Sequence, residues 1–371
     1  MNNGLPQKVS DIDTPALLIE RGIVEKNILR MQRLADDNRL TLRPHIKAHK
    51  MPFLALKQIA AGAGGVAVAK LSEAEIMIKN GLDDIQVANQ VVGPTKIERL
   101  FCLSRDAKIS CAVDSLVNAS ELSAFFEKHG QKIDVFIEID TGLKRCGLAS
   151  QKEIVMLARQ LLKLKGVNFR GIMTHAGHAY AAAGKREVAE IGKHEGRFMV
   201  ETAGLIRAAG VTVSEISVGS TPTAPHAASV PGVTEIRPGN YIFNDMMQVA
   251  LGTVTVENCA LTVLATIISL PAKNRAVIDA GSKALALDKG AHGNELLKGF
   301  GHILKKKATI ERLSEEHGIV DFDREKFLPG EKVRIIPNHA CPVVNLFDFA
   351  YLVDGRKVIA LIPIEARGMV T

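Results

Sequence analysis

Residues 40–52 read LTLRPHIKAHKMP, a short apolar strand that gives way to a basic turn containing Lys47 and then, near Pro52, to a helical pattern. A lysine that follows a buried strand is costly to bury as a cation. Desolvation and neighbouring positive charge, here from Arg43 and Lys50, both lower the pKa of an amine and leave a neutral nucleophile that can form a Schiff base. Lys47 is therefore either a covalent nucleophile or part of a solvated basic strand end.

This strand-then-helix unit recurs along the chain, as expected of a (β/α)8 TIM barrel. The predicted strands are residues 40–48, 65–70, 84–89, 109–113, 133–140, 167–175, 215–219 and 235–243. Each of the first six is followed by a helix-length amphipathic segment. A doubly wound open sheet is the alternative, but no G-x-G-x-x-G follows the first strand, so its usual dinucleotide site is missing.

The pattern changes after residue 250. Residues 254–270, 275–278, 332–336 and 358–362 alternate or run apolar between turn residues, which is typical of an antiparallel β domain. An early strand, residues 15–20, falls outside the eight-fold count and belongs either to that second domain or to a barrel lid. We therefore predict a barrel over residues 21–248 and a β domain built from 1–20 plus 249–371.

Composition argues against several classes of protein. The chain is 47% hydrophobic and 23% charged, as ordinary globular proteins are. Its net charge of +7 is dispersed and it contains no tryptophan, so we expect no nucleic-acid binding. No signal pattern or membrane-length apolar run is present, and five scattered cysteines form no disulfide framework. We expect a cytoplasmic protein with no membrane partner.

Two loops at the expected end of the barrel have the composition of a phosphate site. The seventh strand ends in Gly219-Ser220-Thr221-Pro222, and the eighth contains Gly239-Asn240-Tyr241. Glycine permits close backbone approach, and a proline can open a short helix whose N–H groups face an anion. Phosphates are often bound after strands seven and eight of such barrels. Either loop alone is an ordinary turn sequence, but together they favour a phosphate site.

Three further strand ends or segments carry candidate ligands. Arg145 follows the fifth strand and is either a surface charge or the partner of a phenolate oxygen. His175 and His178 follow the sixth strand, where a ligand-facing role competes with a structural one. In an extended segment, His339 and Cys341 would point to one face and chelate a metal, since imidazole and thiolate are ligands that zinc prefers. The alternative is a buried cysteine beside a turn histidine.

Six motifs occur in chain order: Arg43-Pro44-His45-x-Lys47, Asp140-Thr141-Gly142-x-x-Arg145-x-Gly147, Gly177-His178-x-Tyr180, Gly219-Ser220-Thr221-Pro222, Arg237-Pro238-Gly239-x-Tyr241 and His339-x-Cys341. Together they resemble the D-threonine aldolase and D-serine dehydratase family of the alanine-racemase-like, fold type III pyridoxal-phosphate enzymes. The resemblance covers almost the whole chain.

The resemblance implies a barrel carrying pyridoxal 5'-phosphate, a β domain that closes over it, and a homodimer. Lys47 would be the Schiff-base lysine, Arg145 would bind the phenolate oxygen, and His175 would lie beside the pyridine ring, where many relatives have tyrosine. The phosphate would be held by Gly219, Ser220, Thr221, Gly239, Asn240 and Tyr241. His339 and Cys341 would bind a divalent metal (zinc, manganese or magnesium), with His339 catalytic beside Lys47.

The expected reaction is that of a lyase on a D-3-hydroxy amino acid. The cofactor is an electron sink for a bond to the α-carbon, and a metal near the β-hydroxyl acts as a Lewis acid. The same parts serve aldol cleavage or dehydration, and the sequence does not separate them. One alternative is an amino-acid racemase, although racemases of the wider group lack the metal pair. Another is a non-catalytic pyridoxal-phosphate-binding protein, against which the second domain argues.

Overall fold

The chain folds into two sheets, which the computed structural model describes over residues 4–290 and 296–371. Strand β1 (Ala16–Glu20) and helix α1 (Arg21–Asp37) come first. The parallel sheet then contains β2 (Thr41–Leu42), β3 (Val66–Val68), β4 (Asp84–Gln90), β5 (Lys108–Val113), β6 (Ile133–Ile139), β7 (Val167–Thr174), β8 (Glu215–Val218) and β9 (Glu235–Ile236). The helices between and after its strands are α2 (Pro52–Ala60), α3 (Leu71–Lys79), α4 (Pro94–Leu103), α5 (Leu116–Lys128), α6 (Gln151–Leu161), α7 (Lys185–Ala208), α8 (Ala224–Ala227) and α9 (Met246–Ala250).

The eight parallel strands curl into a barrel. Their order is β2-β9-β8-β7-β6-β5-β4-β3, and a bridge between His45 and Ala67 joins its two ends. Ala112, Phe136 and Met173 pack together as a separate apolar cluster. Directly after β2, Arg43 ion-pairs with Glu235, the first residue of β9 (Nε–Oε2 2.7 Å). The predicted barrel is confirmed.

The prediction for the eighth strand is wrong beyond its first two residues. Strand β9 ends at Ile236. Pro238 has no N–H to donate to a ladder, and the chain instead turns into a 3₁₀ helix, Asn240–Ile242. The first strand is shortened in the same way by Pro44, so that Lys47 lies in a 3₁₀ turn, Ile46–Ala48, and not in a strand.

The second sheet is built almost entirely from the C-terminal third of the chain. It contains β10 (Leu261–Ala272), β11 (Arg275–Ile278), β12 (His302–Ile303), β13 (Ala308–Leu313), β14 (Gly318–Phe322), β15 (Lys332–Ile336), β16 (Phe349–Asp354) and β17 (Lys357–Pro363), with helices α10 (Ser282–Leu285) and α11 (Ala340–Val344). The order is β11-β14-β13-β12-β15-β10-β1-β16-β17, and β10 also pairs with β11, which closes six strands into a ring. The predicted antiparallel β domain is confirmed, although β12, β13, β14 and β16 were not predicted.

Strand β1 is part of this second sheet. It pairs antiparallel with β10, Leu17 opposite Val263, and parallel with β16. The chain thus enters the barrel from the β domain and returns to it. Within the described residues, no helix is both long and apolar enough to cross a bilayer.

Candidate active site

A cavity of about 220 Å³ opens at the carboxyl ends of the barrel strands. Lys47, Arg145, His175 and Gly219 line it. A cavity of about 150 Å³ is enough to hold benzene, so this one can hold a substituted six-membered ring. Four of the residues predicted from separate strand ends therefore share one wall.

Lys47 is the chemically distinctive group in this cavity. Burial lowers the pKa of its amine and the positive charges of Arg145 and Arg237 lower it further, while the charges of Cys341 and Glu73 oppose the shift. A lowered pKa increases the fraction of neutral amine at a given pH. The lysine is thus prepared for nucleophilic attack on a carbonyl carbon.

Two histidines flank the lysine without adding positive charge. Burial and the neighbouring charge of Lys47 hold the pKa of both His45 and His175 well below the usual value. Both rings are therefore neutral near pH 7 and can present flat, uncharged faces to a bound ring. His178 lies apart from this wall, with its ring against Gly142.

Arg145 reaches the cavity from a loop whose backbone is stabilised by the Asp140 side chain. Both carboxylate oxygens of Asp140 accept hydrogen bonds from the backbone N–H of Lys144 (3.0 and 3.1 Å). Glu138, at the end of β6, then pairs with the Arg145 guanidinium at 3.4 Å and accepts a hydrogen bond from Gln90 Nε2 (2.6 Å). Glu138 and the guanidinium it pairs with both line the cavity.

The two loops predicted to bind phosphate contact each other. The backbone N–H of Tyr241 donates to Thr221 Oγ1 (3.1 Å). Gly239 packs so closely on the turn that contains Lys47 that an added Cβ would lie 2.8 Å from the carbonyl oxygen of His45. The Tyr241 hydroxyl accepts a hydrogen bond from Gln58 Nε2 (2.8 Å). Because its hydroxyl is bonded to Gln58, Tyr241 would contribute to a phosphate site through its backbone and through its hydrogen bond to Thr221.

The Gly219 loop is supported by a buried acid. Gly219 adopts φ +101°, which favours glycine, and its N–H donates to Glu195 Oε1 at 2.8 Å. Glu195 comes from helix α7, outside the barrel, and burial raises its pKa. Ser220 donates its N–H to Thr223 Oγ1 at 3.0 Å. The loop is thus held in shape by its neighbours.

His339 and Cys341 come together, though not by the geometry the sequence suggested. The segment is not extended: His339 is the N-cap of helix α11, and Cys341 lies in its first turn. The two side chains still lie close enough for Cys341 to raise the pKa of His339, and His339 Nδ1 lies 2.6 Å from Asp288 Oδ2. Helix α11 packs on the turn containing Lys47.

Negative charge collects around His339. Burial alone would lower the pKa of this imidazole, but the charge of Cys341, the hydrogen bond to Asp288 and the charge of Asp245 raise it well above the usual value. Such a surplus of negative charge also attracts a metal cation. Within residues 4–290 and 296–371, however, no set of three His, Cys, Asp or Glu side chains is arranged to hold a metal. The His339–Cys341 pair would need water or substrate to complete a shell.

The cavity wall also contains polar residues to which the sequence assigned no role, among them His45, Glu138 and Arg237. His45 and Arg237 stand within the quoted motifs. Arg237 is buried and donates to the carbonyl oxygen of Thr174 (2.6 Å). A buried arginine directly after a barrel strand is a signal that could have been used.

Comparison with known proteins agrees with this geometry. Residues 19–246 match the family model for the alanine racemase N-terminal domain, and residues 260–353 match a serine dehydratase domain. The chain is 36% identical to a D-threonine aldolase from Arthrobacter sp., covering 96% of this chain and 93% of the relative. The chain belongs to the D-threonine aldolase and D-serine dehydratase family. This is a family of pyridoxal-phosphate-dependent lyases, as the motifs predicted.

Other relatives extend the comparison. A D-threo-3-hydroxyaspartate dehydratase from Delftia sp. is 35% identical over 89% of this chain and 91% of its own length. The crystal structure of D-threonine aldolase from Filomicrobium marinum superposes with a TM-score of 0.92 at 30% identity, covering all of both chains. A D-threo-3-hydroxyaspartate dehydratase solved as a cysteine-to-alanine mutant in the metal-free form gives a TM-score of 0.90 at 32% identity, covering 96% of this chain and 99% of that one.

Proposed function

We propose that this protein is a pyridoxal-phosphate and divalent-metal-dependent lyase that acts on D-3-hydroxy amino acids, of the D-threonine aldolase or D-serine dehydratase type. The observation that carries the proposal is Lys47, half-buried beside two guanidinium groups in a ring-sized cavity. Among the described residues no salt bridge joins its ammonium to a carboxylate, and a cation withdrawn from water without such a partner is destabilising, so a purely structural role explains it poorly.

The residues present suit this cofactor. Lys47 would be the attachment point, Arg145 would bind the phenolate oxygen, and His175 would lie beside the ring. Gly219, Ser220, Thr221, Gly239, Asn240 and Tyr241 would hold the phosphate. Support for the last assignment is the close approach of Gly239 to the His45 carbonyl, where any side chain would intrude.

The metal is assigned to His339 and Cys341. His339 bonds Asp288 through Nδ1, so Nε2 is the nitrogen left to face a metal. A thiolate ligand favours zinc over manganese or magnesium. The mutant relative described above, solved in its metal-free form with a cysteine removed, supports a cysteine ligand.

When bound, the cofactor withdraws electrons from a bond to the substrate's α-carbon, and the metal polarises the β-hydroxyl. The chain's own residues would hold the cofactor and the metal in fixed positions relative to each other. Lys47 supplies an amine that can carry or release a proton at Nζ, and Glu138 fixes Arg145 through its 3.4 Å ion pair. Neutral His45 and His175 keep extra positive charge away from the lysine.

Covalent attachment provides the direct test of the site. Apo-protein loaded with pyridoxal phosphate and reduced with borohydride should carry the label on the peptide containing Lys47, as read by mass spectrometry. Lys47→Ala should carry none. Lys144→Ala, an exposed lysine beside Arg145, is the matched control and should label normally. Label on another lysine, or none at all, would overturn the assignment.

We also propose that the protein is a homodimer, as the resemblance implies. Analytical ultracentrifugation of the loaded protein should give twice the chain mass of 40.0 kDa. A monomer at micromolar concentration would contradict this part of the proposal alone.

A further inference from the structure

A buried aspartate, Asp245, lies between the two halves of the proposed site. It is the N-cap of helix α9 and has no exposed surface. It follows the 3₁₀ turn that contains Asn240 and Tyr241, and it belongs to none of the motifs by which the chain was recognised.

Its two oxygens accept three hydrogen bonds from different parts of the fold. Oδ1 accepts from the backbone N–H of Gln248 (3.2 Å) within its own helix. Oδ2 accepts from Asn240 Nδ2 (2.6 Å), in the phosphate loop, and from the backbone N–H of Ala340 (2.9 Å), between His339 and Cys341. One oxygen atom therefore joins the phosphate loop to the segment that carries the metal pair.

Backbone bonds run beside this connection. Met246 donates its N–H to the carbonyl oxygen of Pro337 (3.1 Å), and Met247 donates to that of Asn338 (3.1 Å). These bonds hold residues 337–338, which precede His339, against the start of α9. The Asp245 bond holds Ala340, which follows His339.

A carboxylate is needed at this position for a physical reason. Both oxygens act only as acceptors, whereas the side chain of asparagine would turn an NH₂ group toward one set of donors. A buried carboxylate without a nearby cation is costly. A cation bound at His339 and Cys341 would supply the compensating charge.

We propose that Asp245 is a positioning residue that fixes the metal pair relative to the phosphate loop, so that its loss weakens both metal and cofactor binding. This inference rests on the function proposed above. Glu195 provides the contrast: it accepts a hydrogen bond from the Gly219 N–H (2.8 Å), and within the described part of the chain no hydrogen bond joins it to residues 337–341.

The test compares Asp245→Asn with Glu195→Gln. Metal retention is measured by elemental analysis after zinc loading and dialysis against a competing chelator, and cofactor affinity by absorbance titration of apo-protein with pyridoxal phosphate. Asp245→Asn should lose about tenfold or more in zinc affinity and about fivefold or more in cofactor affinity. Glu195→Gln should lose cofactor affinity alone, with zinc affinity unchanged.

The outcomes distinguish a failure of the positioning role from a failure of the proposed function. If the wild type binds zinc and cofactor but Asp245→Asn keeps either affinity within about twofold, the positioning role is refuted. If the wild type binds neither, the proposed function itself fails. Should Asp245→Asn not fold, Asn240→Ala replaces it: zinc affinity must fall there too, although Asn240 lies on the phosphate side, and unchanged zinc affinity refutes the role.

Discussion

Lys50 anchors the turn that presents Lys47, and removing its charge should destabilise the protein strongly. Its ammonium pairs with Glu73 (2.9 Å), and the two side chains are 9% and 1% exposed. The same nitrogen donates to the carbonyl oxygens of Ala366 (3.3 Å) and Met369 (3.2 Å). Lys50→Met keeps the length of the side chain but leaves a buried carboxylate without its cation.

The size of the loss follows from that burial. Removing one partner of a buried ion pair costs about 3–5 kcal/mol. An unfolding entropy of about 2.1 cal/mol/K per residue gives about 0.8 kcal/mol/K for this chain, so Lys50→Met should lower Tm by about 4–6 °C. Differential scanning calorimetry at one fixed scan rate, on apo-protein, provides the measurement.

Two further variants isolate the ion pair. In Lys50→Met with Glu73→Gln the buried charge is gone, so about 1–4 °C of the loss should return. Lys57→Met breaks an exposed pair with Glu25, 37% and 45% exposed at 3.4 Å, and should shift Tm by about 1 °C or less. The reasoning is refuted if Lys50→Met behaves like Lys57→Met, or if the double variant is as unstable as the two single losses added together.

Three other changes have definite expected outcomes. His339→Ala should lose metal, as measured by elemental analysis, and slow the lyase reaction by orders of magnitude while keeping bound cofactor. Lys47→Ala should keep metal and lose attached cofactor. Loss of both groups in either variant would contradict the assignment. Gly239→Ala should weaken pyridoxal phosphate binding and cost about 1–3 kcal/mol of stability, because its methyl group would meet the His45 carbonyl oxygen at 2.8 Å; a titration and a thermal melt check both. The fraction of neutral Lys47 amine increases as pH rises through its pKa, which burial and nearby guanidinium groups lower. The pH midpoint of cofactor attachment should therefore lie below the pKa of free lysine, and Arg145→Gln should move that midpoint upward. A downward shift would be inconsistent with the charge argument.

Much of the barrel could be predicted because its signals are local. Strand β4 was expected over 84–89 and β6 over 133–140, each within one residue of the observed ends. Both lie between turn residues; β6 is mostly apolar, as buried parallel strands are, and β4 has an apolar residue at every second position from Ile85 to Val87. The eighth strand was overextended because apolar content outweighed the missing N–H of Pro238, a backbone constraint that hydrophobic pattern does not register.

Residues from separate strand ends were expected to lie together, and Lys47, Arg145, His175 and Gly219 do line one cavity, but the local geometry of the metal pair was not predicted. His339 and Cys341 were expected to meet on an extended strand, whereas they meet at the start of a helix. Asp245 was not foreseen, since its partner Ala340 is 95 residues away along the chain. Contacts of that kind arise from how the two sheets come together, and no periodicity in one segment encodes them.

The product formed from a D-3-hydroxy amino acid tests the central claim most directly. Protein loaded with pyridoxal phosphate and zinc, incubated with D-threonine or D-serine, should release glycine plus an aldehyde or a 2-oxo acid plus ammonia, and a chelator that strips the metal should stop it. Interconversion of enantiomers that survives removal of the metal, with no cleavage or deamination product, would contradict the account and identify the protein as a racemase.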